Sequence, residues 1–576
     1  MEYSAIFHDT NKKYCYALEK GLFIIRLKTK KDDMKHVTLH YQDKYIPVHF
    51  HDTRQQTPMK KIANDSWCDY YEAQVQIDMV CMRYQFELED QNGQIAFYGN
   101  HEFYEEKITS IDYMYDCPQN LREEEMFSTP EWAKNKVIYQ IFPSRFASSK
   151  QIADDVWYQT PMTAQANLQG DLKGITQHLE HLKELGVDIV YMTPIFHSPS
   201  SHKYNTVDYY TIDPSFGTKE DLKELVDKAH ALGMYVILDA VFNHTDVEFF
   251  AFKDIRENEA NSRYLDWYYI QDFPLKAKWG TKPNYKCFSY FGGMPKLNLQ
   301  NDEVAEYCIE VARYWLRECN IDGWRLDVGD EISHSFWQRF RKAIKADYPD
   351  ALIVGEIWHH AEDFLDGEEW DTFMNYPFYF AVNDLAASQK ITPSKFLGQM
   401  GNLEGNLHKN VYPILWNLLD SHDTARLMHN CGEDVDKFKL CVGIQLISPG
   451  MPFIYYGDEY GMTGGPAPDC RRGMLWDAKY QNQDIYEWYK KLLQLRKEEP
   501  ALTKGETKVL LCDDAKRMFA LEKSYEGKQM IILVNAGETE QKTDLFTDNE
   551  PMQNLLKNSV FTGELQRFEV AVLTKM

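Results

Sequence analysis

Two rhythms of apolar and polar positions divide this chain. Up to about residue 120 they alternate in short runs: "GLFIIRLKTK" (21–30), "HVTLHYQ" (36–42), "YEAQVQIDM" (71–79) and "MRYQFELED" (82–90). A period of two sends every second side chain to one face, so residues 1–120 predict a β-sandwich. The polar stretch "CPQNLREEEMFSTPEWAKN" (117–135) lacks alternation and predicts a linker. Beyond it, near-continuous apolar runs alternate with segments of helical period. The runs are "VIYQIF" (137–142), "IVYMTPIF" (189–196), "YVILDAVF" (235–242), "GWRLDV" (323–328), "LIVGEIW" (352–358), "WDTFMN", "PILWNLLDSHD" and "PFIYYGDEYG". Eight strand candidates with helices between most of them predict an α/β fold, a closed (β/α)8 barrel, over 121–504. A doubly wound open sheet competes, but no GxGxxG follows the first strand, which counts against its nucleotide-binding form. Aromatic-rich loop sequence at 243–300 reads as a subdomain inserted after the third strand, and 505–576 returns to strands as a C-terminal β-sheet domain.

Composition narrows the function classes. The chain has 576 residues, 44% hydrophobic, enough for several cores. Its formal charge of −25 argues against a nucleic-acid partner, which needs a basic surface. No run approaches the length of a membrane-spanning helix, and "MEYSAIFHDTNKKY" does not resemble a signal peptide. The 11 cysteines are odd in number, scattered and without CxxC, so a cytoplasmic location is expected.

Polar residues gather where barrel strands should end. "DAVFNH" supplies Asp239, Asn243 and His244; "GWRLDV" supplies Arg325 and Asp327; "GEIW" supplies Glu356; "SHD" supplies His422 and Asp423. One such group is more often structural, and Arg325 and Asp327, two apart on one face, would make an ordinary ion pair. Four groups at four strand ends converge on the mouth of a (β/α)8 barrel. Two carboxylates over an aromatic cleft fit glycoside hydrolysis, one as acid and one as nucleophile. Arg325 is expected to lower the pKa of Asp327, and the apolar flanks of Glu356 beside Trp358 to raise that of the acid.

These motifs resemble the α-amylase family of glycoside hydrolases, at "DAVFNH", "GWRLDVGDE", "GEIW" and "LLDSHD". More narrowly the chain resembles the neopullulanase, cyclomaltodextrinase and maltogenic amylase branch, whose mark is "MPKLN" (294–298); "SPSSHKYNTVDYYTIDPSFG" and "YYGDEYGMTGG" extend the match. The resemblance spans essentially the whole chain, and residues 1–120 resemble that branch's carbohydrate-binding-module-like domain. It implies Asp327 as nucleophile, Glu356 as proton donor and Asp423 as third carboxylate. It implies that Arg325, His244, His422 and Tyr204 line the subsite at the scissile bond, that Asp239 positions Arg325, and that Arg471 binds sugar further out. It also implies α-glucan oligosaccharides and cyclodextrins as substrates and a homodimer whose N-terminal domain roofs the partner's active site.

Two departures stand out. The branch's calcium run after "RFA" is "SSKQIADD" here. Ser148 and Lys150 replace oxygen-rich ligands, leaving Asp154, Gly170 and Asp171, so no metal is expected. Ala467 stands where relatives carry an Asp partner for the arginine. His178 and His181, three apart on a helix, lack further ligands and read as structural. His359 and His360 follow Glu356 and are equally a cleft edge or a plain loop; Asn64 in "NDS" has no secretory context. Beside an α-1,4 and α-1,6 glucan hydrolase with transglycosylation as a side reaction, the alternatives are a non-catalytic carbohydrate-binding relative, a glucanotransferase and an α-1,6-glucosidase.

Overall fold

The computed structural model describes residues 1–11, 13–46, 52–118, 126–278, 280–546 and 551–576. Residues 119–125 of the expected linker lie outside the described residues. On its flanks, Tyr115–Pro118 is a strand antiparallel to Cys81–Asp90, and Glu131–Ala133 is a single 3-10 turn. Tyr115 and Cys117 are buried while Asp116 is not, so the period of two is present but too short to register among polar neighbours.

The chain packs as two compact units, Met1–Ser128 with Glu362–Gly367 and Ile391–Tyr412, and the remaining residues. The first is a sandwich of a four-stranded and a six-stranded sheet. Leu22–Lys30 pairs with Cys68–Gln76 so that Phe23 faces Val75, Ile25 faces Ala73 and Leu27 faces Tyr71, all turned into the core. The opposite face carries a buried ion pair between Arg26 and Glu72 at 3.1 Å. Arg26 also donates to the Leu407 carbonyl at 2.6 Å. That contact helps hold 391–412, which the sequence reading runs into the barrel segment. Its helix Pro393–Asn406 lies so close to Lys60–Asn64 that a side chain at Gly401 would meet the Asn64 carbonyl oxygen.

The second unit is built on eight parallel strands: β1 Ile138–Ile141, β2 Ile189–Met192, β3 Tyr235–Ala240, β4 Gly323–Leu326, β5 Leu352–Gly355, β6 Thr372–Phe373, β7 Trp416–Leu418 and β8 Met451–Tyr455. Hydrogen bonding runs in the order β6-β5-β4-β3-β2-β1-β8-β7. A parallel bridge between Met374 and Trp416 joins the two ends and closes the barrel. The strands are buried on both faces, hence their continuous apolar runs. Each is shorter than the run that predicted it. Asp327 and Glu356 each lie one residue past β4 and β5. The insertion at 243–300 holds the helix Phe250–Asn258 and isolated bridges such as His244 with Lys296. A six-stranded sheet ends the chain. Among the described residues, no helix is long and apolar enough to cross a membrane.

Candidate active site

Register brings the first pair together. Asp239 on β3 and Arg325 on β4 are direct partners across the ladder, so both side chains enter the barrel from one level. Arg325 Nη1 donates to both Asp239 oxygens at 2.9 Å and to Asp327 Oδ1 at 3.0 Å. Its Nη2 lies 2.7 Å from Glu356 Oε2, a close ion pair that is off the hydrogen-bond line. Arg325 is fully buried. One guanidinium therefore sits among three carboxylates.

That count decides the electrostatics. Burial pushes the Asp327 carboxyl well above the usual carboxylate range; Arg325 pulls it down, and Glu356, Asp239 and Asp423 push it up again. Arg325 thus acts in the expected sense, but burial and three like charges outweigh it, and the net direction is opposite to the sequence expectation. Burial likewise raises Asp239 to about 6 against the pull of Arg325. Asp239 and Asp327 share this guanidinium, so their titrations are coupled. Burial around a single cation makes both Asp239 and Asp327 hold a proton more tightly than a free carboxylate does.

Val328, the residue after Asp327, has φ 47° and ψ 46°. A β-branched side chain in that left-handed region is strained by about 1–3 kcal/mol. The turn aims the Val328 N–H at Glu356 Oε2, 3.0 Å away. Backbone on the Asp327 side thereby fixes the other carboxylate. Gly355 is required just before Glu356, since a Cβ there would sit 2.1 Å from the Trp370 ring. Trp358 reaches back with its Nε1 to Glu356 Oε1 at 3.3 Å and stacks on Tyr376 at 4.2 Å.

Asp423 completes the mouth. Its Oδ1 accepts from Arg471 Nη2 at 3.0 Å, and its Oδ2 lies 3.1 Å from His422 Nε2. Arg471, expected further out, is therefore the partner of Asp423; the neighbouring Arg472 takes Asp469 instead. Gln140 Nε2 donates to His422 Nδ1 at 2.8 Å, which leaves the imidazole proton on Nε2 toward Tyr204. Tyr204 stacks on His422 at 5.5 Å and donates to Asp239 Oδ2 at 3.0 Å. His244 stacks on Phe288 at 5.0 Å, and burial holds it down at about 3, hence neutral.

Of these side chains Tyr204, His244, Asp327, Glu356, Asp423 and Arg471 line a cavity of about 450 Å³, with His202, Phe288, Met294, Val328, Asp330 and Trp358 also in its wall; Asp239, Arg325 and His422 are buried behind it. All nine site residues expected from the sequence lie in this one region. Sequence reasoning missed Gln140 and Tyr191, which orient His422 and Asp239, the latter by a 2.7 Å hydrogen bond. Both sit inside apolar strand runs, where period alone does not mark them. His202, two residues from Tyr204, was quoted within a motif and given no role; burial lowers it to about 4.

Other candidates go elsewhere. His178 bonds the Gly174 carbonyl and packs on Trp476, while His181 reaches Glu459 at 3.3 Å. His359 pairs with Asp330 at 3.4 Å, at the cavity edge. The residues of the calcium run do not fit a cation. Asp171 accepts from the Ser149 N–H and Oγ–H and from the Gly174 N–H, at 2.6 to 3.2 Å, and Asp154 pairs with Lys479.

A closed (β/α)8 barrel whose mouth gathers three carboxylates on one arginine, with a fourth beside them, defines a glycoside hydrolase. The chain belongs to the α-amylase family: the alpha amylase catalytic domain matches residues 140–472, and the alpha amylase N-terminal Ig-like domain matches 1–119. It is 40% identical over 581 residues to a cyclomaltodextrinase of Geobacillus thermopakistaniensis (strain MAS1), covering 99% of this chain and 98% of that one. It is 38% identical to an intracellular maltogenic amylase of Bacillus subtilis (strain 168), over 95% and 93% of the two. A solved cyclomaltodextrinase superposes with a TM-score of 0.94 at 35% identity, covering 100% of both chains.

Proposed function

We propose that this enzyme is a retaining α-glucan hydrolase acting on cyclodextrins, pullulan and short maltooligosaccharides, with transglycosylation as a side reaction. One observation carries the mechanism. Asp327 Oδ1 is held by Arg325, while its buried Oδ2, in the cavity wall, has no hydrogen-bond partner among the described residues. An anchored carboxylate with one unengaged oxygen suits nucleophilic attack. In this reading Asp327 attacks the anomeric carbon as the glycosidic C–O bond breaks. The departing oxygen takes a proton from Glu356. A water then gives its proton to Glu356 and attacks the anomeric carbon, releasing Asp327. Holding both carboxylates on one guanidinium supports the separation of about 5–5.5 Å of retaining enzymes. Asp423, steadied by Arg471 and His422, holds sugar hydroxyls.

The substrate class is supported by what the two relatives are called and by a cavity of oligosaccharide size with aromatic walls. A cytoplasmic location is supported by the name of the Bacillus subtilis relative. A homodimer is supported by exposed aromatics on the sandwich, Tyr45 at 64% and Trp67 at 78%, which suit a partner's surface. Proton NMR of the first product from β-cyclodextrin tests the mechanism: the α-anomer is expected, and a first-formed β-anomer rejects it. Rates on β-cyclodextrin, pullulan and soluble starch test the preference, which fails if starch is turned over fastest. Light scattering that gives a monomer rejects the dimer.

A further inference from the structure

The opposite end of the barrel holds a second cavity, of about 870 Å³. It is lined by residues 134–137 leading into β1, by 183–188 leading into β2, and by the helix Gln483–Glu498 with the turn after it. Entry to the strands marks the N-terminal rim, away from the carboxylates at the C-terminal ends. Eight lining residues are lysine or arginine and three are acidic, in a chain of formal charge −25. Such a local reversal focuses a positive potential in a concave site. The volume is within the range of small-molecule sites, about 300–1,000 Å³.

Part of this charge has a bland account. Lys183, Lys497 and Lys504 fall in the last turns of helices, where cations oppose the helix dipole. Arg496 donates to the carbonyls of Leu446, Ser448 and Gly450 at the end of the helix Val435–Ile447. Two facts remain. Lys183, Lys490, Lys497 and Lys504 form no ion pair among the described residues. Arg496, 6% exposed in the cavity wall, has no carboxylate partner there either, and its buried Nε–H has no acceptor. Burial depresses its guanidinium to about 9, and Asp188, in the same cavity wall but paired with Lys136, pulls the other way. A buried cation without a counter-charge is costly, and an anion in the cavity supplies one. Asn135 adds a buried Oδ1 with no donor, in the same wall.

We propose that this cavity binds a small phosphomonoester, the phosphate lying among Lys490, Lys497 and Arg496 and a hydroxyl-bearing body filling the rest. Free phosphate shares the head chemistry, so the test separates the two. Isothermal titration uses glucose 6-phosphate, inorganic phosphate and sulfate at matched ionic strength, on the full chain and on a Lys490→Glu/Lys497→Glu double variant. The expected result is saturable glucose 6-phosphate binding with Kd of about 1 mM or tighter. It should exceed that of sulfate and weaken about tenfold or more in the double variant, a loss of about 1.4 kcal/mol. Unchanged far-UV circular dichroism and melting temperature without ligand confirm that the variant folds; if it does not, the single Lys490→Glu variant takes its place. Binding of inorganic phosphate alone, equal affinity for sulfate, or affinity untouched by charge reversal overturns the proposal.

Discussion

Two buried arginines stand at opposite ends of one barrel. Arg325, at the mouth, is surrounded by three carboxylates; Arg496, at the floor, by three backbone carbonyls and no carboxylate. Both charges are screened from water, yet the surroundings move them in opposite directions. The carboxylates raise the guanidinium of Arg325 well above its ordinary range against the effect of burial, whereas Arg496 is depressed. At the mouth the negative charge is in excess, so protons are held and moved. At the floor the positive charge is in excess, eight basic residues to three acidic in the cavity wall, and among the described residues no carboxylate pairs with Arg496. The comparison teaches that a buried cation by itself says little; the number of carboxylates that meet it separates a reacting centre from a binding or capping one.

The sharpest break is at the mouth. Asp327→Asn should lower kcat by about 10⁴-fold or more, because an amide cannot form the glycosyl ester. Near-UV circular dichroism should stay unchanged; retained turnover would remove Asp327 from the centre of the mechanism. Next in size is a paired measurement of urea stability at pH 7. Arg325→Met strands three buried carboxylates and should cost about 3–5 kcal/mol. Arg496→Met leaves carbonyls unpaired but also removes an uncompensated charge, so about 1–3 kcal/mol is expected. Equal losses would erase the distinction between the two ends.

A smaller effect lies in pH. The folded-state pKa of Asp239 is raised, from 3.8 to about 6, so the folded protein holds a proton that the unfolded chain has released. Stability is therefore present below 3.8 and is lost as pH rises through about 6. Asp239→Asn lacks this term. Its unfolding free energy, measured against wild type, should climb between those two values, on top of a constant offset from the lost Arg325 contact. A flat or falling difference would show that the cluster does not hold the proton there. The smallest effect is expected of chelation. Dialysis against EDTA should shift the melting temperature by less than about 2 °C and leave activity unchanged, since a 1 kcal/mol loss in a chain this size already moves it by about that much. A large drop restored by calcium would reveal a site elsewhere.

The barrel was legible because its strands are apolar on both faces, and their polar last residues stand out against that background. Asp239, Arg325, Asp327, Glu356 and Asp423 were visible for this reason. The direction of the Asp327 shift was not, because it depends on how many carboxylates meet in space, and adjacency in sequence shows only Arg325. Gln140 and Tyr191 were hidden inside strands. The left-handed Val328 carries no compositional sign, since valine is a poor choice for that conformation. The floor cavity was invisible for a different reason: its lysines come from residues 134–136, 183 and 490–504, none of them a charge block by itself. The helix Pro393–Asn406 has ordinary amphipathic spacing, and nothing in it says which core it covers.

The closure of the barrel has a consequence for how the enzyme wears out. Around the ring, neighbouring strands share two to four register pairs, but between β6 and β7 the seam is one bridge wide, at Met374 and Trp416. Met374 is also the residue whose sulfur accepts from Arg325 Nε, at 3.5 Å. A narrow seam is where amide hydrogens exchange first, by local breathing far below the energy of global unfolding. Each such opening slackens the grip on the guanidinium that organises three acids, and it admits peroxide to a thioether otherwise fully buried. Heat and oxidants should then silence the enzyme while its spectra still read as folded, with the loss tracing to one hinge-like stave of the barrel rather than to the collapse of the whole.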